Sequence, residues 1–316
     1  MMQNHFQSST PDIRPAGVYP LTLGDFYCLV ISDEVSYSLP TSLITNATKE
    51  EVAATLREYA LPSTHVPMQI SVLYIHTGQH QILIDTGLGH LPGPSGRADF
   101  IGKVRSNLQA FGIAPESINT IILSHAHTDH YGGIFDEENR FSFPNATYVL
   151  SKAEWTFWME QPDLSSLALP EPLKQRTVQL AQDCLARLQP KLRLIDDEEV
   201  IIPGIAAISA KGETPGHSAF LVSSKGDSML VVGDAWSHYK LTPEHPDWLT
   251  VFDLDPEQTV RTRRMLLNRA AEEQLLVLAY HFPWPSLGRI LKRDVNWSWE
   301  PIEYTWTYTT NREAPS

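Results

Sequence analysis

Ile118-Asn119-Thr120-Ile121-Ile122-Leu123-Ser124-His125-Ala126-His127-Thr128-Asp129-His130 is the stretch on which the reading of this chain turns. Ile118–Leu123 is nearly continuous in apolar side chains and rich in β-branched residues, the pattern of a buried strand. It runs directly into three histidines and an aspartate within six residues. Imidazole and carboxylate suit zinc and its first-row neighbours. The 316-residue chain has 12 histidines, and three of them clustered beside an aspartate point to ligands rather than to an ordinary surface loop. Gly132-Gly133 follow and let the backbone turn sharply close to the cluster.

The cluster alone supports at most part of a site for two metals, so other donors must come from distant sequence. His217 lies in the turn Glu213-Thr214-Pro215-Gly216-His217. Asp234 closes the strand-like Val231-Val232-Gly233-Asp234, and His281 ends the last apolar strand. Each is a ligand type where a strand stops, and strand ends offer rigid support for a site. On the N-terminal side, the strand Gln81–Ile84 ends in Asp85-Thr86-Gly87. Asp85 is expected to hold the ring N–H of a ligand histidine and fix its tautomer; capping the Thr86-Gly87 turn is the alternative. His76, His80 and His238 read as exposed or structural.

Around these points the chain reads as one domain. Residues 1–17 form a flexible leader, and 18–310 a single domain with an inserted helical segment near 151–190. Strands are expected at Phe26–Ile31, Met68–His76, Gln81–Ile84, Ile118–Leu123, Thr147–Leu150, Ile205–Ser209, Phe220–Val222, Met229–Val232 and Gln274–Ala279. A hairpin turn is expected at Thr77–His80. Helices are expected over 48–60, 102–111, from Ser151, over Leu173–Leu188, and from the Asp255-Pro256 start. Pro162, Pro170 and Pro172 break the stretch before Leu173. Hairpins and helices in both halves suggest two sheets packed face to face with helices outside.

Composition narrows the function. The formal net charge is -13, whereas a nucleic-acid binder usually carries a basic patch or stripe. Cys28 and Cys184 form no CxxC pair, so neither a disulfide framework nor a cysteine zinc site is indicated. No apolar run has the length of a signal peptide core or a membrane span, and a cytoplasmic location is the expectation. No GxSxG elbow is present.

The chain resembles the metallo-β-lactamase superfamily from Ile82-Leu83-Ile84-Asp85-Thr86-Gly87 to His281. The match includes His-x-His-x-Asp-His, the Pro-Gly-His turn, the Gly-Asp pair and the last histidine. Within that superfamily it looks most like the branch of methyl parathion hydrolase and related lactonases, through Phe252-Asp253-Leu254-Asp255-Pro256-Glu257-Gln258, His281-Phe282-Pro283-Trp284-Pro285-Ser286-Leu287-Gly288 and Trp299-Glu300-Pro301-Ile302-Glu303-Tyr304. The resemblance implies an α+β fold, the four-layer αββα sandwich. It implies that His125, His127 and His217 bind one metal, that Asp129, His130 and His281 bind the other, and that Asp234 bridges both. The two divalent ions would be zinc first of all, with manganese, cobalt or iron as alternatives.

A hydroxide bridging the two ions would then be the nucleophile, with Asp129 and Asp234 as the catalytic carboxylates. Trp155, Trp158, Tyr239 and Trp284 are candidate pocket residues, and aromatic walls suit apolar acyl or aryl groups. Packing in the core is the competing reading for the Trp155–Trp158 cluster. The expected activity is hydrolysis of neutral lactones or carboxylic and aryl esters, with phosphotriester cleavage as a side activity. The alternatives are an iron-dependent oxidoreductase of the persulfide dioxygenase type and a phosphodiesterase or nuclease. The expected partner is a small-molecule substrate, with neither nucleic acid nor membrane, and with a homodimer left open.

Overall fold

Alternation along the strands sets the architecture. In β1 (Val18–Leu23), β2 (Phe26–Ser38) and β3 (Val66–His76), Cys28, Val30, Leu73 and Ile75 face one side, and Leu29, Ile31, Val72 and Tyr74 the other. Both faces are apolar, so the sheet must be covered twice. The computed structural model describes residues 17–38, 43–91, 102–160 and 162–303. The expected leader, except Gly17, and residues 304–310 of the expected domain lie outside them.

The first sheet continues through β4 (Gln81–Ile84), β5 (Thr120–Ile122), β6 (Thr147–Ser151) and β7 (Leu192–Ile195), in sequence order β1 to β7. It is antiparallel as far as β4 and parallel from β4 to β7. The second sheet orders β8 (Val200–Ile202), β9 (Ile205–Ser209), β10 (Ser218–Ser224), β11 (Asp227–Val231), β12 (Leu276–Leu278), β13 (Leu287–Lys292) and β14 (Trp297–Pro301), with β11 and β12 its parallel pair.

Parallel neighbours need long crossovers, and these supply the outer layers. Among the helices α1 (Lys49–Glu58), α2 (Val104–Ala110), α3 (Thr128–Tyr131), α4 (Lys152–Met159), α5 (Glu171–Leu188), α6 (Leu241–Glu244) and α7 (Pro256–Glu272), α2, α4 and α5 cover the first sheet. Leu108, Trp158, Ala181, Leu185 and Leu188 pack there on Leu83, Ile121 and Tyr148. α7 covers the second sheet with Leu266, Leu267 and Ala270 on Leu230 and Val277. Between the sheets lie Ile82, Ile84, Ile122, Phe220, Val222, Met229 and Leu278. The result is the αββα sandwich that the sequence led us to expect.

The expected helix at 48–60 forms as α1. Thr48 Oγ1 accepts from the Glu51 amide at 3.2 Å, and the Glu51 carboxylate accepts from the Thr48 amide at 2.8 Å, a reciprocal cap. Two expectations need correction. Pro172 does not precede its helix but sits in the first turn of α5, where its missing N–H costs nothing. The last buried strand is shorter than Gln274–Ala279, because Gln274 has φ 51 and the Leu275 amide still bonds to Ala270 of α7. Among the described residues, no helix is long and apolar enough to cross a membrane.

Candidate metal centre

Asp85, the 125–130 cluster, Asp234 and His281 follow β4, β5, β11 and β12, and His217 precedes β10. β4 and β5 are parallel, β11 and β12 are parallel, and β10 runs antiparallel to β11. Strand direction alone therefore brings donors from both sheets to one edge of the sandwich. α3 carries Asp129 and His130, and its tight placement depends on glycine. A Cβ on Gly132 would lie 2.1 Å from the Leu88 carbonyl oxygen, and one on Gly133 would lie 2.2 Å from that of Thr86.

Two four-donor groups result. Asp129, His130, Asp234 and His281 form one, and His125, His127, Glu213 and Asp234 the other; within each, the donor atoms lie within 4.8 Å of one another. Asp234 belongs to both. His217 packs against His125, with ring centroids 4.9 Å apart, but its Nε2 accepts a hydrogen bond from the Asp234 amide at 3.1 Å. Glu213 occupies the place in the group that the resemblance gave to His217.

The histidines are aimed by their other ring nitrogen. His130 Nδ1 donates to Asp85 Oδ2 at 2.8 Å, His217 Nδ1 to the Ala210 carbonyl at 2.9 Å, and His281 Nδ1 to the Gln69 carbonyl at 2.9 Å. That turns each Nε2 inward, the orientation a metal ligand requires. Asp85 is itself held by the Ser124 amide and hydroxyl in a left-handed conformation at φ 65. Tyr280 stacks on the His130 ring at 4.1 Å and donates its hydroxyl to the Asp129 carbonyl at 2.6 Å.

The electrostatics divide the site in two. Burial, reinforced by neighbouring imidazoles, lowers His125 well below the ordinary histidine range; burial likewise lowers His127 and His217. Burial also opposes the charged form of His130 and His281, but here the carboxylates win. Asp234, Asp129 and Asp85 hold His130 well above the usual range, and Asp234 and Asp129 raise His281 to about 9. Burial disfavours the Asp234 carboxylate, yet His281 and His130 hold it well below the carboxylate range. Protons thus neutralise charge where cations would otherwise do so.

A test of metal fit comes from buried polar atoms. Glu213 Oε2 is buried without a hydrogen-bond partner, and buried His130 Nε2 and Asp234 Oδ1 have only each other, 3.2 Å apart and poorly aligned; each belongs to one of the two groups. Buried polar atoms normally find partners. Orphans that converge from imidazole and carboxylate donors fit divalent cations of the zinc type.

Three buried groups at this site were not read from the sequence: Glu213, Tyr280 and Glu154. Glu154 is fully buried on α4. Its Oε1 accepts from the Ala126 amide (2.9 Å) and the Trp158 indole (2.7 Å). Its Oε2 accepts from Thr214 Oγ1 (2.7 Å) and the Gly216 amide (3.0 Å). It clamps the His125–His127 loop to the turn that carries Glu213 and His217. Its only sequence signal is the cap position three residues after Ser151, whose hydroxyl accepts from its amide.

The expected aromatic wall is distributed differently. Trp158 is 0% exposed; it backs His127 from the core, ring centroids 6.0 Å apart. Trp155 is half-buried against the outer cluster of the first sheet, Trp284 against the inter-sheet cluster, and Tyr239 against the outer cluster of the second. Half-buried Phe252, whose ring lies 6.0 Å from that of His127, is, besides Tyr280, a further aromatic beside the ligands that sequence reasoning left out.

A two-sheet αββα sandwich with clustered histidines and carboxylates at one edge defines a class of metal-binding proteins. The model of the metallo-beta-lactamase superfamily matches residues 65–279, and the chain belongs to that superfamily. The chain is 21% identical over 234 residues to the N-acyl homoserine lactonase of Bacillus cereus, covering 70% of this chain and 84% of that one. It is 27% identical over 184 residues to the N-acyl homoserine lactonase AttM of Agrobacterium fabrum, covering 56% and 62%. Among solved structures, AidC, a dizinc quorum-quenching lactonase in complex with the product N-hexanoyl-L-homoserine, is similar with a TM-score of 0.85 and 27% identity. That match covers 92% of this chain and 98% of AidC. The hydrolase AbOPH is similar with a TM-score of 0.82 and 28% identity, covering 93% and 100%.

Proposed function

We propose that this metal-dependent hydrolase holds two zinc ions and opens neutral lactones of the N-acyl homoserine type. The observation that carries the reading is the pair of four-donor groups sharing Asp234. The near full-length likeness to a dizinc lactonase supports the substrate class. When bound, two divalent ions supply a water acidified towards neutrality and a Lewis acid for the carbonyl oxygen.

The chain's own residues do the rest. His125, His127 and His217 act with Asp234 on one side; Asp129, His130 and His281 act with it on the other. Asp85 fixes the His130 ring, and Tyr280 fixes the backbone of Asp129. The attacking water forms a bond to the lactone carbonyl carbon, the ring C–O bond breaks, and the water's proton ends on the leaving alkoxide to give a hydroxy acid. Asp129, whose side chain is 18% exposed against 10% for Asp234, is the carboxylate placed to carry that proton. Phe252, beside His127, presents apolar surface to the acyl part of a substrate. Carboxylic and aryl esters share the same electrophilic carbonyl, and phosphotriesters are the side activity of the same site.

The test is steady-state kinetics of zinc-loaded protein on N-acyl homoserine lactones, simple lactones, aryl esters, phosphotriesters and phosphodiesters. The expected order places kcat/KM for a lactone highest and phosphodiester cleavage lowest. Preference for a charged phosphodiester over every neutral lactone and ester would overturn the reading.

A further inference from the structure

Glu213 stands outside the ligand set implied by the family resemblance, yet it is 6% exposed and its Oε2 has no hydrogen-bond partner. That oxygen lies 3.6 Å from His125 Nε2, and Oε1 lies 3.4 Å from His127 Nδ1. Among the described residues no lysine or arginine pairs with it; its carboxylate faces the two imidazoles alone. A buried carboxylate in that setting costs several kcal/mol unless a cation compensates it.

We infer that Glu213 is a metal-ligating carboxylate of the ion held by His125 and His127. Glu213 then joins His125, His127 and His217 on one side, Asp129, His130 and His281 stand on the other, and Asp234 belongs to both groups. Three carboxylates against two dications leave a single net positive charge. Two carboxylates would leave a second uncompensated charge at a buried site. The same turn carries His217 four residues later, and the Glu154 clamp on Thr214 and Gly216 fixes it from behind. His217, whose Nε2 accepts from the Asp234 amide and whose ring packs on His125, stays among the donors of that side.

This inference rests on the two-metal reading above, and one titration separates the two. Metal-free wild type and Glu213→Gln are titrated with zinc ion against a chromophoric chelator, and both are melted with EDTA and with zinc. Wild type taking up fewer than two ions overturns the two-metal reading itself. With two ions bound to wild type, Glu213→Gln is expected to lose at least roughly 10–100-fold in affinity for one ion and to keep the other, since losing even a group that only orients a ligand costs that much. A ligand role also predicts that Glu213→Gln melts no lower than wild type in EDTA, since it removes an uncompensated buried charge, and gains less on zinc addition. Glu213→Asp, which keeps the charge but shortens the reach, should fall between the two. Glu213→Gln binding both ions as wild type does would overturn the inference, as would its melting several degrees lower in EDTA, or failing to fold there, with Glu213→Asp retaining wild-type zinc affinity.

Discussion

Glu154→Gln is the substitution for which the structure makes the sharpest demand. Both carboxylate oxygens of Glu154 accept two hydrogen bonds each, at 2.7–3.0 Å, from Ala126, Trp158, Thr214 and Gly216. A glutamine keeps the shape but offers one oxygen and one NH2. Whichever way the amide turns, two donors meet a donor. Hydrogen bonds to a charged acceptor contribute ~1.5–3 kcal/mol each, so losing two costs about 3–6 kcal/mol. Neutralising the side chain also removes the desolvation cost of a buried carboxylate, which offsets part of this, and we expect about 3 kcal/mol. Against a total of ~5–15 kcal/mol for a domain, such a loss is plain in equilibrium urea unfolding. The measurement is made in EDTA, so that weakened metal binding does not enter. Trp158→Phe removes one donor and leaves the charge, and should cost at least about 1.5–3 kcal/mol, with a further cost for the cavity left by the smaller ring. A Glu154→Gln variant within ~1 kcal/mol of wild type, the scatter of unremarkable substitutions, would refute the clamp.

Four further outcomes follow from the same geometry. Asp234→Ala should retain the fold by circular dichroism, bind fewer than two zinc ions by elemental analysis, and lose nearly all hydrolysis; normal turnover would reduce Asp234 to a strand-end residue. Asp85→Asn should weaken zinc binding roughly 10–100-fold by loosening the His130 ring, read by chelator competition. Gly216→Ala would set a Cβ 2.0 Å from the Glu154 amide nitrogen and should lower the melting temperature by several degrees, because backbone must move. His238 is held down to about 3 by burial, helped by Lys240, so the unfolded chain binds its proton first. Its contribution is fully present above pH 6.5 and is lost as pH falls towards 3, at ~1.4 kcal/mol per pH unit. Stability in EDTA should therefore drop by about 2 kcal/mol between pH 6.5 and 5 on this account, and His238→Gln should flatten that slope.

Reading the sequence went furthest where chemistry is local. The cluster from His125 to His130 is contiguous, and its attachment to a strand with Ile121 on one face and Ile122 on the other could be seen in the residues themselves. The capped helix at Thr48 and the start at Asp255-Pro256 were equally legible, because a cap is a bond between neighbours in sequence. Edge strands such as β1, β8 and β14 were missed. They are short or mixed in burial, and pairing rather than pattern makes them strands.

What the sequence by itself determined was the type of donor and the strand ends that carry them: imidazole and carboxylate at residues 125–130, 217, 234 and 281. Only the tertiary structure decided which donors share a group. It brought Glu213 into the group with His125 and His127, turned the Nε2 of His217 onto the Asp234 amide, and buried Trp158 against Glu154. The reason is physical. Whether a carboxylate caps a turn, clamps two loops or faces a cation depends on which donors surround it once water is excluded, and here, the local Trp158–Glu154 bond apart, they come from distant sequence, 28 residues for Ala126 to Glu154 and 88 for His125 to Glu213.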